Sequence, residues 1–129
     1  MTILIADGDR VLTGLLTARL RRDGFKVVVA FDAMQAIMIA LRNPPAAVLL
    51  DVNMPGGTGM QVLRQLRNST KTNRVPIIVV SGSLEPATEQ KVRELGADDY
   101  VPKPPDYDLL VGKINQLLKQ AGSGERPVA

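Results

Sequence analysis

Five short, mostly apolar runs recur along the chain, and each is followed by a stretch in which apolar residues return at helical spacing. The runs are Thr2–Ala6, Phe25–Ala30, Ala47–Leu50, Ile77–Val80 and the weaker pair Tyr100-Val101. A sheet with one wet face alternates polar and apolar residues; near-continuous runs of this length read instead as strands covered on both faces. Between them stand Val11, Leu12, Leu15, Leu16 and Leu20, then Met34, Ile37, Met38 and Leu41, then Met60, Leu63 and Leu66. The last helix, with Leu109, Leu110, Ile114, Leu117 and Leu118, has the plainest pattern. Asp9, Asp32 and Asp106 stand where N-caps belong, and Gly24 and Gly96 where helices stop. Glu85-Pro86 opens a fourth helix and Asn43-Pro44-Pro45 closes the second. Strict alternation of strand and helix, joined by right-handed crossovers, predicts an α/β domain: a doubly wound five-stranded parallel sheet with helices on both faces.

At 129 residues there is room for one core of ordinary size, expected over residues 1–121, with 122–129 as a short polar tail that reads as a frayed terminus or a stub of linker. The chain has neither Cys nor His, which excludes disulfides, thiolate nucleophiles, Ser-His triads and imidazole metal sites. No apolar run approaches the ~20 residues of a membrane span. Met1 leads directly into the first strand without a signal-like segment, so a cytoplasmic protein with no membrane partner is expected. A net charge of +3 permits an acidic partner, but two Tyr, two Phe and no Trp leave little for base stacking, and nucleic acid is not the expected ligand.

Ligands of open parallel sheets bind beyond the carboxyl ends of the strands. The residues there are Asp7, Asp51, Ser81 and Lys103, after the first, third, fourth and fifth strands. Singly, each has an ordinary reading: the aspartates as turn or cap residues, Ser81 beside Gly82 as a strand end, Lys103 between two prolines as a solvated loop residue. Jointly they suit phosphoryl chemistry, since carboxylates are hard ligands for Mg²⁺, a carboxylate can accept a phosphoryl group, and Lys and Ser can hold its oxygens. A glycosidase-like carboxylate pair fits less well, because Lys103 has no role in it.

Four blocks carry a resemblance over about residues 1–120: Ile3–Asp7, Leu49–Gly59, Val79–Gly82 and Gly96–Pro104. In order and spacing they resemble the signature blocks of bacterial response-regulator receiver domains, close to single-domain chemotaxis regulators. The resemblance implies a flavodoxin-like strand order 2-1-3-4-5. It also implies that Asp51 takes a phosphoryl group, with Mg²⁺, from a sensor histidine kinase or phosphotransfer protein. Asp7, Asp51 and the Asn53 carbonyl would be the metal ligands. Ser81 and Lys103 would bind the phosphoryl group, Tyr100 would be the switch aromatic, and Lys103-Pro104 the family's cis peptide. Such a chain is a signalling acceptor, not an enzyme, and its downstream protein would read the face made by the fourth helix, fifth strand and fifth helix.

Two departures bear on this reading. Gly8 stands where the family has a second acidic residue, which weakens the expected metal site and leaves open an atypical receiver that binds partners without phosphorylation. Asp9 could reach around to replace the lost acid, or cap the first helix. Pro105 stands where the family usually has Phe. Separately, Arg64, Arg67 and Lys71 recur at helical spacing, with Arg74 just beyond, and read as a solvated face or a docking strip for an acidic partner.

Overall fold

The structure, a computed structural model, describes residues 1–54, 56–83 and 85–123; the last six positions of the expected tail lie outside the described residues. Ten main elements alternate: β1 (Thr2–Ala6), α1 (Arg10–Arg22), β2 (Lys26–Ala30), α2 (Ala33–Arg42), β3 (Ala47–Leu50), α3 (Gly59–Arg67), β4 (Ile77–Ser81), α4 (Pro86–Glu94), β5 (Asp99–Pro102) and α5 (Tyr107–Ser123). The five strands form one parallel sheet in the order β2-β1-β3-β4-β5, as expected. A small antiparallel ribbon, Asn53–Met54 against Gly57–Thr58, follows β3 and was not anticipated.

The alternation of buried faces explains why the strands look apolar throughout. Leu4, Val48, Leu50, Ile77 and Val79 point into a layer shared with Ala36 and Ala40 of α2, Val62, Leu63 and Leu66 of α3, and Val92 of α4. Ile3, Ile5, Leu49, Ile78 and Val80 point the other way, onto Leu12, Leu16 and Leu20 of α1 and Leu110, Ile114 and Leu118 of α5. Residues of the central strands β1, β3 and β4 are therefore buried on both faces from Ile3 on, while the edge strands β2 and β5 are only partly covered.

The helices begin where capping chemistry places them. Asp9 accepts from Val11 N and Leu12 N, Asp32 from Gln35 N, and Asp106 from Leu109 N. Gly24 and Gly96 follow α1 and α4 with positive φ. Helical spacing overstated the buried stripe, however. Val11, Leu15, Met34, Met38 and Leu109 are exposed, because α1, α2 and α5 each rest one narrow face on the sheet and the neighbouring apolar row faces outward.

The basic strip on α3 also needs correction. Arg64, Lys71 and Arg74 are exposed, but α3 ends at Arg67, so Lys71 and Arg74 lie beyond the helix and form no face with Arg64, and Arg67 itself is not exposed with them. Its guanidinium turns inward at the end of the helix and reaches Asp98 at 3.0 Å. Among the described residues no helix is long and apolar enough to cross a membrane.

Candidate functional site

The parallel register aligns the ends of the strands, and backbone bonds extend that alignment into the loops. Asp7 N donates to the Ala30 carbonyl, Asp51 N to the Ala6 carbonyl, and Lys103 N to the Ser81 carbonyl. Asp7 and Asp51 thus leave adjacent strands side by side, both buried. The Lys103 ammonium sits over them, 2.8 Å from Asp7 Oδ2 and 3.5 Å from Asp51 Oδ2. Their remaining oxygens accept backbone donors: Asp9 N to Asp7 Oδ1 at 2.8 Å and Asn53 N to Asp51 Oδ1 at 3.3 Å. The Lys103-Pro104 peptide is cis, and Pro105 is buried behind it.

The electrostatics follow from this crowding. Burial raises the Asp51 carboxyl above its ordinary value, the negative charge of Asp7 adds to the rise, and Lys103 only partly offsets it. For Lys103, burial alone would lower the ammonium, yet the hydrogen bond to Asp7 and the charges of both aspartates carry it above its usual value. The site is a compact arrangement of two anions and one cation whose least comfortable member is the charged form of Asp51.

That discomfort has a consequence for stability. An acid whose folded pKa is raised contributes its full stabilisation only below its unfolded pKa and loses it as pH rises through the folded value. Asp51→Asn is therefore expected to raise the thermal midpoint at neutral pH in metal-free buffer. The gain should shrink to nothing as the pH falls below the ordinary aspartate range. Paired unfolding curves against pH check this; an unchanged or lower midpoint at neutral pH would contradict it.

The other candidate residues lie along one chain of contacts. Ser81, fully buried at the end of β4, accepts on its Oγ from Ser83 N at 3.1 Å. The Ser83 carbonyl accepts from the Tyr100 hydroxyl at 2.6 Å, and Ser83 Oγ meets Thr88 Oγ1 in the first turn of α4 at 3.1 Å. Ser83 was not singled out in the sequence; nothing in its residue type announces a bond made by its backbone.

The two carboxylates, buried side by side, are the hard oxygen donors that a divalent cation such as Mg²⁺ takes. Asp9 does not supply a third acid, because its carboxylate is engaged in capping α1, and among the described residues no group of three or more potential ligands gathers. The glycine at position 8 is thus not compensated from its own loop.

Comparison with known proteins gives a consistent picture. The family described as the response regulator receiver domain matches residues 3–115. The transcriptional regulatory protein CpxR of Klebsiella pneumoniae is 38% identical over 124 residues, 96% of this chain and 52% of the relative. The response regulator MprA of a Mycobacterium is 34% identical over 97% of this chain and 54% of its own length. The chain thus spans about half the length of the curated relatives it matches. Among solved structures, a response regulator from Chloroflexus aurantiacus superposes with a TM-score of 0.87 at 29% identity, covering 92% of this chain and 97% of that one. The receiver domain of a Pseudomonas aeruginosa sensor histidine kinase, with a magnesium ion coordinated in its active site cleft, gives 0.85 at 26% identity, with 92% and 97% covered.

Proposed function

The chain belongs to the response regulator receiver domains, and on that premise we propose that Asp51 is its phosphoacceptor, charged by the phosphohistidine of a sensor histidine kinase or phosphotransfer protein. The observation that carries this reading is the Lys103 ammonium bridging Asp7 and Asp51. In the transfer, an Asp51 carboxylate oxygen forms a bond to phosphorus while the donor's phosphorus–nitrogen bond breaks, the electron pair leaving with the imidazole. Asp7, Asp51 and the Asn53 carbonyl would hold Mg²⁺, which supplies charge neutralisation at the phosphoryl oxygens. Lys103, already poised between the carboxylates, takes up a phosphoryl oxygen as the new negative charge arrives.

The reaction is stoichiometric acceptance, and the readout is a change of surface. When Ser81 Oγ turns to a phosphoryl oxygen it gives up the Ser83 amide, and the Ser83 carbonyl that receives Tyr100 shifts with it. The face of α4, β5 and α5 changes, and a downstream protein distinguishes the two states by that difference. A cytoplasmic setting, protein partners and no direct role for nucleic acid in this segment complete the reading.

A second reading is favoured by one observation: Asp9 caps α1 and leaves the metal site with two carboxylates. In that reading the chain binds its partner constitutively and takes no phosphoryl group. Incubation with acetyl phosphate, with and without Mg²⁺, separates the two. The expected result is a mass gain of one phosphoryl that requires Mg²⁺ and disappears in Asp51→Asn. Absence of any gain supports the second reading, and a gain that survives in Asp51→Asn removes Asp51 as acceptor.

A further inference from the structure

Among the described residues β2 is an edge strand, hydrogen-bonded to β1 alone. Lys26 N donates to the Met1 carbonyl, and the Ala30 carbonyl accepts from Asp7 N. Successive strand residues turn their polar groups to opposite sides, so Lys26, Val28 and Ala30 face β1 while Val27 and Val29 direct N–H and C=O outward. The amides on either side of this pair are already used: Phe25 N donates to the Leu20 carbonyl and Phe31 N to Gln35 Oε1. The outward-facing ladder is therefore short and sharply bounded. On the α2 side of it lies a groove of about 830 Å³ whose apolar lining includes Val28, Met34, Met38 and Ile39, with Asp32 and Arg42 as its charged residues. Val28, Met34 and Met38 are 38%, 64% and 52% exposed.

We propose that this edge is a homodimer interface, in which β2 pairs antiparallel with β2 of a second copy about a two-fold axis at Val28. In that register Val27 of one copy lies opposite Val29 of the other, and the two pairs exchange hydrogen bonds that satisfy every outward group named above. Val28 meets its own twin as the non-hydrogen-bonded pair, with the exposed methionines of both α2 helices beside it.

Charge favours a second copy over another strand. Lys26 shares its side of β2 with Val28, and Asp32, the N-cap of α2 just past the end of the strand, lines the same groove as Val28; antiparallel pairing about Val28 carries each Lys26 toward the partner copy's Asp32 end. A lysine on an edge ordinarily repels pairing. Here the two-fold brings it to an acid twice. The interface is isologous, so it closes at two copies, and it involves none of the residues assigned to phosphoryl transfer.

The absence of native cysteine makes the test direct. In Val28→Cys, mild oxidation is expected to give a disulfide-linked dimer, because the opposed Cα atoms of such a pair lie about 4.5 Å apart, within disulfide range. Leu15→Cys, on α1 and more exposed than Val28, should remain monomeric. Sedimentation equilibrium of the unmodified chain should show twice the monomer mass, and Val28→Lys, which puts like charges on the axis, should return it to a folded monomer whose urea midpoint no longer depends on protein concentration, whereas that of the unmodified chain does. A monomer in the unmodified chain, equal cross-linking in both cysteine variants, or an edge that pairs only with an added extended peptide would each overturn the proposal.

Discussion

Arg67→Ala is expected to lower the unfolding free energy by about 3–5 kcal/mol, the range seen when one partner of a buried ion pair is removed. A domain of this kind has only about 5–15 kcal/mol in total. The side chain is 14% exposed and its guanidinium fork is distributed over two segments, residues 72–75 and 96–98. Nε donates to the Gly96 carbonyl at 2.9 Å, one terminal nitrogen to the carbonyls of Val75 at 2.7 Å and of Thr72 and Asn73 at 3.3 Å, and the other to Asp98 at 3.0 Å. Asp98 in turn accepts from Ile77 N, the first amide of β4, at 2.8 Å. Removing the fork strips the carbonyls of a charged donor and leaves a half-buried carboxylate without this cation. Arg67→Lys should recover little, since one ammonium cannot reproduce a planar set of donors. Arg64→Ala, on the exposed face of the same helix, should stay within about 0.5 kcal/mol. Urea unfolding of the three variants decides the matter; equal losses at positions 64 and 67 would refute it. Acetyl phosphate should still label the folded fraction of Arg67→Ala, because this bolt lies at the opposite end of β4 from Ser81.

Arg67 also shows where sequence reading stops. Spacing within a helix says which residues share a face, but it is blind to what lies past the helix end, and here the partner is 31 positions away. The same limit explains Val11 and Leu15, whose apolar character placed them with Leu12 and Leu16 although α1 turns them outward. Local chemistry was more legible. Asp9, Asp32 and Asp106 are caps because a carboxylate one turn ahead of free amides has an obvious use. Lys103 lies between these cases. Alone it reads as a solvated loop residue, and only the rule that parallel strands deliver their carboxyl ends to one rim brings it to Asp7 and Asp51. Ser83 had no such rule to reveal it.

Gly59→Ala should damage both the fold and the acceptor, because α3 starts directly against the backbone of the residues that present Asp51. Gly59 N donates to the Val52 carbonyl at 2.7 Å. A Cβ at position 59 would press on the Asp51 carbonyl oxygen and lie 2.7 Å from Val52 Cα and 2.9 Å from Asp51 C. These are main-chain atoms, so no rotamer relieves the overlap; either α3 retreats or the Asp51 loop moves. Overpacking costs about 1–3 kcal/mol and occasionally more, and a clash with backbone on both sides belongs at or above the top of that range. Displacement of the acceptor by about 1 Å is expected to slow labelling about 100-fold in the folded fraction. Gly14→Ala is the matched control: it lies within α1 with nothing within 4 Å of the new methyl. There alanine should stabilise by about 0.5–1 kcal/mol, as it does in helix interiors generally. Labelling kinetics and urea midpoints of the two variants, measured together, test the claim. Unchanged labelling in Gly59→Ala would mean that α3 yields and the acceptor loop does not, and that the position of Asp51 is held by the sheet alone.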